Sequence, residues 1–531
     1  MPKCTINGKE IEVKEGTSII QAMTENGQKI AHYCWHPGLS VAGVCRLCMV
    51  EIEGNPRVQI ACNTMITEGM KVNNTSEKVK EAVKWGLDFH LINHPLDCPV
   101  CDQAGECGLQ DQYMEYGNYD SEMAEKKVKK HKVVDLGERI VLDTERCILC
   151  SRCVRFTDEI TKTHELGIFH RGDQSEIGTF EDRPLNNKYS VNVVDICPVG
   201  ALTSKDFRFK QRVWYLKDGD SICTGCSTGC NTKVYFNQEG VFRIKPRYNK
   251  EVNGYWMCDE GRDLYHNFNR ENRQMKALKK TANSLDEMIP GTAAKEIFKS
   301  LGSQLSGASL VITGQLTNED LQKTVSIFSK SFSSKKIYHW KNNPQEWSNY
   351  DGILLRGDKN PNTKGVEKCL EEYQIQSNFE ELETALDRSQ VTTLVVVLPE
   401  NTFVYPELQK KLRLFGKAKN LILLTSSKVS LSDLQDHNSC WVIPTKTTIE
   451  KSGSFYNFNG LLQVFKKVTT LVSDALTPDQ TVTLMSGGEV TIDLNVFDSS
   501  TRFLIDYNHR PDQVKTEAYK KNEFVFKRGT I

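Results

Sequence analysis

The chain opens on a regular alternation of polar and apolar positions. Lys3–Ile6 and Glu10–Val13 alternate about Asn7-Gly8, a two-residue turn signal, and predict a hairpin. A helix should follow, from Thr17 as N-cap to Asn26, where Gly27 stops it. A second helix is predicted over Ser76–Ile92. Arg212–Lys217 has a strand pattern, and Thr232–Phe236 with Gly240–Pro246 reads as a small hairpin turning at Asn237–Gly240. Further along, Ser309–Thr313, Gly352–Leu355, Thr393–Leu398 and Asn420–Thr425 are short apolar runs with helical stretches between them. That alternation predicts an α/β domain around a parallel sheet. Runs such as Leu394–Leu398 and Leu421–Leu424 are far too short to span a bilayer.

Composition narrows the picture. A chain of 531 residues has length for several cores. Lys+Arg and Asp+Glu balance at 68 each, so no charge excess points to nucleic acid or an anionic membrane. The opening MPKCTINGKEIEVKEG lacks the apolar core of a signal peptide. The mature protein is therefore expected to begin there and to be soluble and cytoplasmic. Sixteen of the eighteen cysteines precede residue 259, leaving only Cys369 and Cys440 beyond it. A disulfide framework belongs to small secreted chains, whereas CxxC clusters in a cytosolic chain bind metal.

The spacings fall into four sets. Cys34-x10-Cys45-x2-Cys48-x13-Cys62 follows the hairpin and helix, as in a plant-type ferredoxin, where two thiolates serve each iron of a [2Fe–2S] rhomb. Gly38 and Gly43 should give that loop its freedom, and Cys62 should close the site from a following strand. The rival is a Cys₄ zinc site, whose paired knuckles fit the long gaps less well. Cys4, in the first strand, reads as core. The second set is His94-x3-Cys98-x2-Cys101-x5-Cys107, within HPLDCPVCDQAGECGLQD. From spacing alone, an iron–sulfur cluster and a Cys₃His zinc site fit equally.

The third set, Cys147-x2-Cys150-x2-Cys153, is the bacterial ferredoxin run, with Thr157 at its fourth position. Cys197-Pro198 lies far downstream. A complete second run would need cysteines where Asn187, Ser190 and Val193 stand, so one [4Fe–4S] cluster on Cys147, Cys150, Cys153 and Cys197 is expected and the second is lost. The fourth set, Cys223-x2-Cys226-x3-Cys230-x27-Cys258, frames the small hairpin and favours a further cubane over zinc.

In this order the motifs resemble the G subunits of bacterial NADH–quinone oxidoreductase, respiratory complex I. The similarity runs through all sixteen ligand positions and through RGDQSEIGTF (171–180), CPVGALTSK (197–205) and FKQRVWYL (209–216). The resemblance implies a mixed α+β and α/β multidomain chain. It would hold a β-grasp [2Fe–2S] domain at 1–78, a His(Cys)₃ [4Fe–4S] segment at 79–118 and a degenerate two-cluster ferredoxin-like domain at 138–210. A β-rich [4Fe–4S] domain would follow at 216–272, and a shortened molybdopterin-oxidoreductase-like α/β domain at 290–531, which contains EKSGSFYNFNGLLQVF (450–465). It further implies one [2Fe–2S] and three [4Fe–4S] clusters, without molybdenum. The partners would be a flavin- and NADH-binding subunit and a ferredoxin-like iron–sulfur subunit, with membrane attachment on the cytoplasmic face of the bacterial inner membrane only through such partners. The first three clusters would relay electrons, and the fourth would lie off that path.

A formate dehydrogenase α-type subunit shares such an N-terminal half, but it needs a molybdenum or tungsten ligand after the fourth set. Cys369 reads as part of a charged helix face and Cys440 as core at a strand start. No dinucleotide fingerprint, general acid, base or nucleophile is evident. Elemental analysis and low-temperature EPR of the reduced protein are expected to show iron and sulfide, one binuclear signal and three cubane signals. Abundant zinc with little iron, or tightly bound molybdenum or tungsten, would contradict this.

Overall fold

The computed structural model describes residues 1–118, 124–181, 183–430 and 439–491, with the backbone of Arg502–Phe503. The described residues form two compact units, Met1–Tyr215 and Leu216–Arg502. The expected C-terminal domain beyond residue 491 otherwise lies outside the described residues.

The first unit begins with the predicted hairpin, β1 (Lys3–Ile6) and β2 (Lys9–Glu12). Asn7 and Gly8 adopt φ of 51° and 80°, the left-handed pair that a tight hairpin turn requires. Helix α1 (Ile19–Glu25) is capped by Ser18 rather than Thr17, because Ser18 and Gln21 form a reciprocal capping box. Strands β3 (Met49–Ile52), β4 (Gln59–Ile60) and β5 (Met70–Asn73) complete a sheet ordered β2-β1-β5-β3-β4, with β5 parallel to β1. Its core joins Ile6, Ile19, Ile20 and Val72, and it includes Cys4 as expected.

Helix α2 (Glu77–Leu91), N-capped by Ser76 and lying within the predicted Ser76–Ile92, leads to α3 (Gly108–Tyr116). The third-set region is built on β6 (Val134–Asp135) and β7 (Ile140–Leu142), α4 (Arg152–Arg155) running into a π-turn, and the hairpin β8 (Leu166–Phe169) and β9 (Glu176–Thr179). It ends with α5 (Asn192–Ile196) and β10 (Leu202–Ser204), in a sheet ordered β10-β7-β6.

At the boundary of the two units, Arg212–Lys217 is not a strand as a whole. Val213–Tyr215 form a 3₁₀ turn, and β11 (Lys217–Ile222) begins only at Lys217, paired antiparallel with β12 (Asn231–Phe236). β12 returns through β13 (Val241–Pro246), close to the predicted hairpin. Two short helices, α6 (Asp259–Asp263) and α7 (Tyr265–Phe268), follow. The large sheet then takes β14 (Ala277–Thr281) and β15 (Leu285–Met288), α8 (Pro290–Leu305), β16 (Ser309–Ile312), α9 (Asn318–Lys330) and β17 (Ile337–His339). It continues with α10 (Thr363–Glu372), α11 (Phe379–Asp387), β18 (Thr393–Val397), α12 (Leu408–Phe415), β19 (Asn420–Thr425) and β20 (Ser439–Pro444). A hairpin, β21 (Gly453–Tyr456) and β22 (Leu462–Phe465), and α13 (Pro478–Met485) close it.

Strand order is β15-β14-β20-β19-β18-β16-β17, with the five strands from β20 to β17 parallel. Alternate residues serve opposite cores. Leu310, Val395, Ile422 and Trp441 face α8, α9, α10 and α13, while Val311, Val396, Leu423 and Val442 face α11 and α12. Gly352–Leu355 is not a strand. The Asp351 carboxylate accepts from the amides of Ile353, Leu354 and Leu355 at 2.9–3.1 Å, which removes the donors a sheet ladder would use. Among the described residues no helix is long and apolar enough to cross a membrane.

Arg273 and Glu450 form an ion pair at 2.7 Å, and both side chains are fully buried. Arg273 also donates to the carbonyls of Ser426 and Thr445, and Glu450 accepts from the amides of Thr447, Leu471 and Val472. Burial alone would raise the Glu450 carboxyl, but the Arg273 charge and these amides hold it below its ordinary value. A depressed carboxyl stabilises the fold above its unfolded pKa and loses that contribution as pH falls through the folded one. Arg273→Met is expected to destabilise the second unit by about 3–5 kcal/mol, because it strands the buried carboxylate. The check is denaturant unfolding at neutral and acid pH, and the deficit should shrink on the acid side.

Candidate iron–sulfur sites

The first-set loop brings its four sulfurs together as two pairs. Cys34 shares a hydrogen bond with Cys45, and Cys48 shares one with Cys62; the sharing lowers the Cys34 and Cys62 thiols and raises the Cys45 and Cys48 thiols. Two pairs suit a rhomb that takes two thiolates per iron. Gly43 is left-handed at φ 66°, as its loop role requires, whereas Gly38 is not and turns instead with its amide on His36 Nδ1 at 3.1 Å. Cys62 lies in a 3₁₀ turn after β4 rather than in a strand. The Tyr33 amide donates to Cys45 Sγ at 3.4 Å.

In the second set, Cys101 and Cys107 are buried and Cys98 is exposed. The three sulfurs are linked in sequence, since the charge of Cys98 bears on Cys101 and that of Cys101 on Cys107. Burial lowers His94 to about 4, although Asp97 pulls the other way, so its imidazole is neutral. Its Nδ1 is buried without a protein partner. A neutral ring with an orphaned nitrogen fits a ligand role.

The third set is the most complete. Cys147, Cys150, Cys153 and Cys197 line one cavity, together with Leu142 and Ile177. Burial raises all four thiols, Cys147 to about 12 and Cys150 to about 11. Leu149 and Ser151 adopt φ of 53° and 61°, which wraps the run around the cavity and lets the Leu149 amide reach Cys147 Sγ at 3.4 Å. The positions of the missing second run are closed: Thr157, Ser190 and Val193 are fully buried, and the Asn187 amide donates to Glu165 at 3.1 Å.

The fourth set is buried throughout, and burial places Cys230 and Cys258 well above the ordinary thiol range. Amides of Gly225 and Gly261 donate to Cys223 and Cys258 at 3.4 Å. A Cβ on Gly261 would stand 2.9 Å from Cys223 Sγ, so this helical glycine is a cradle for the sulfurs. The loop is fastened to the α/β domain. Ser227 donates to Asp358 O and accepts from the Phe458 amide, while Gln463 bridges Gly229 O and Asn231. Among the described residues no three His, Cys, Asp or Glu side chains close around a single ion-sized point.

Several site residues carried weaker sequence signals. Arg146, Arg152 and Arg155 interleave with the cysteines in RCILCSRCVR, a pattern visible in the sequence. Arg146 pairs with Asp97 at 2.7 Å and with Asp143 at 3.2 Å, which joins the second set to the third. Tyr33, buried and edge-on to His90 at 5.1 Å, lies between Cys45 and Cys107. A Cβ on Gly200 would meet Cys101 Sγ at 2.3 Å. Cys369 and Cys440 occupy the two cores of the large sheet; Cys369 is on the apolar face of α10, not the charged one, with Val366 and Leu370 beside it.

Four family models match in order. They are a 2Fe-2S iron-sulfur cluster binding domain at 3–77, the NADH-ubiquinone oxidoreductase-G iron-sulfur binding region at 86–122, the ferredoxin-like domain of NADH-quinone oxidoreductase subunit 3 at 137–203, and the molybdopterin oxidoreductase Fe4S4 domain at 217–270. The first half is therefore an iron–sulfur protein of serial cluster-binding domains. More particularly, the chain is similar to proteins named as the G subunit of NADH-quinone oxidoreductase. It is 38% identical over 318 residues to that protein from Rickettsia felis, covering 60% of this chain and 47% of the relative. The G subunit from Streptomyces coelicolor is 38% identical over 319 residues, covering 60% and 38%. The NADH-ubiquinone oxidoreductase 75 kDa subunit of Reclinomonas americana is 40% identical over 266 residues, covering 50% and 38%. The aligned part spans half or less of these relatives' length. An NAD+-reducing [NiFe]-hydrogenase in its H2-reduced state overlaps at 28% identity and TM-score 0.37, covering 40% of this chain and 91% of that chain, a likeness too slight to carry an argument.

Gly200→Ala is expected to displace the Cys101 sulfur. Iron content should fall by one cluster's complement, and the EPR signals of the other sets should remain.

Proposed function

We propose that this chain is the iron–sulfur electron-transfer subunit of the peripheral arm of an NADH–quinone oxidoreductase. It would pass electrons from a flavin- and NADH-binding subunit toward a ferredoxin-like subunit and the quinone-reducing module, within a complex that couples the reaction to proton translocation. The observation that carries this reading is the junction of three ligand sets in one compact unit. Arg152 and Arg155 join the first set to the third, Arg146 and Gly200 join the second to the third, and Tyr33 lies between the first and second.

In this reading Cys34, Cys45, Cys48 and Cys62 hold a [2Fe–2S] cluster in a β-grasp domain. His94, Cys98, Cys101 and Cys107 hold one [4Fe–4S] cluster, Cys147, Cys150, Cys153 and Cys197 a second, and Cys223, Cys226, Cys230 and Cys258 a third. The clusters supply one-electron storage. The chain's own residues exclude water from them, set their spacing, and donate amide and guanidinium hydrogens that tune their potentials. The fourth set, fastened to the α/β domain, has a stabilising role off the relay. The formate dehydrogenase reading loses its metal ligand, because Cys369 and Cys440 are core residues of the large sheet.

In the assembled complex, Cys147→Ala or Cys150→Ala is expected to abolish quinone reduction while sparing NADH oxidation by an artificial acceptor at the flavin. Normal quinone reduction with the third-set signal missing would overturn the relay assignment.

A further inference from the structure

Arg152 lies where the first and third ligand sets meet. Its Nη2 donates to the carbonyl of Trp35, next to Cys34, at 2.6 Å, and its Nη1 to the carbonyl of Ile196, next to Cys197, at 2.9 Å. The same side chain lines the cavity walled by Cys147, Cys150, Cys153 and Cys197. Its Nε is buried without a protein acceptor. Charges from both sets bear on it, those of Cys150 and Cys197 and those of Cys45 and Cys34. A guanidinium keeps its charge under working conditions, so a fixed cation stands between the two sets. The next arginine on α4 plays a different part. Arg155 ties backbone to backbone, through the carbonyls of Ser40, Cys34 and Cys150.

We propose that Arg152 is a positioning residue for electron transfer between the first and third clusters, fixing their separation through its two carbonyl bonds and raising the potential of both with its charge and its remaining Nε–H. The proposal rests on the cluster assignment above. The step it serves moves one electron: the first cluster is oxidised by one, the third is reduced by one, and no bond or proton changes place. A cation close to both favours the more reduced state of each, and it stays close to the transferred charge before and after the step.

The test uses Arg152→Gln and Arg152→Lys in the assembled complex, with EPR redox titration and freeze-quench kinetics. Arg152→Gln should shift the potentials of the binuclear cluster and the third-set cubane to more negative values and leave the fourth-set cluster unmoved. Arg152→Lys keeps the charge but not the planar fork. It should hold both potentials near the native values while slowing arrival of the electron at the third set several-fold. Unchanged potentials in a fully loaded Arg152→Gln protein would overturn the proposal. Should that variant fail to load, native transfer kinetics in Arg152→Lys would overturn it. Absence of the binuclear and third-set signals from the native complex would instead sink the cluster assignment and take this inference with it.

Discussion

Sulfur that must carry negative charge is buried here, and much of the first unit is arranged around that constraint. A thiolate set taken out of water needs compensation from fixed dipoles or cations. The chain provides both. Backbone amides of Tyr33, Leu149, Gly225 and Gly261 turn toward sulfur, and each lies within a few residues of a ligand. Arg146 and Arg152 add full charges where two sets adjoin. Without those cations the neighbouring sets would repel one another on reduction, so the arginines allow close spacing as well as hydrogen bonding.

The second unit answers a different demand. Its parallel sheet is covered on both faces, and its apolar runs read as continuous rather than alternating, as buried parallel strands do. The Arg273–Glu450 pair ties the segment after α7 to the turn before β21, so two stretches far apart in sequence meet at one fully buried contact. The fourth ligand set belongs to this unit and not to the first. A division after the fourth ligand set, between the 216–272 domain and the α/β domain, therefore differs from the structural one, because the loop from Cys223 to Cys230 is hydrogen-bonded to segments around residues 358 and 458.

Much of this was legible in the sequence. The hairpin at Asn7-Gly8, the helix beginning near Ser76 and the central strands of the large sheet follow from local chemistry, and the four candidate ligand groupings are read from cysteine and histidine spacing. What was not legible depended on distant partners. The pairing of Cys34 with Cys45 and of Cys48 with Cys62 is set by how the loop folds back on the sheet. The bond from Arg152 to Trp35 spans 117 residues of sequence, so no local window contains it. Gly352–Leu355 has strand composition, but Asp351 captures its amides first. The place of Cys369 is obscured for another reason. Val366, Cys369 and Leu370 already carry the i, i+3, i+4 pattern of a buried helix face, and the surrounding charges mask it.

The clasp between Gln463 and the fourth-set loop bears on how the protein matures. Gln463 bonds Asn231 and Gly229, which were synthesised 232 and 234 residues earlier. Until the hairpin of β21 and β22 emerges and folds, that loop lacks its cover. The loop from Cys223 to Cys230 can therefore reach its final packing only after the far half of the α/β domain has been made, which couples the order of this loop to the folding of a segment distant in sequence.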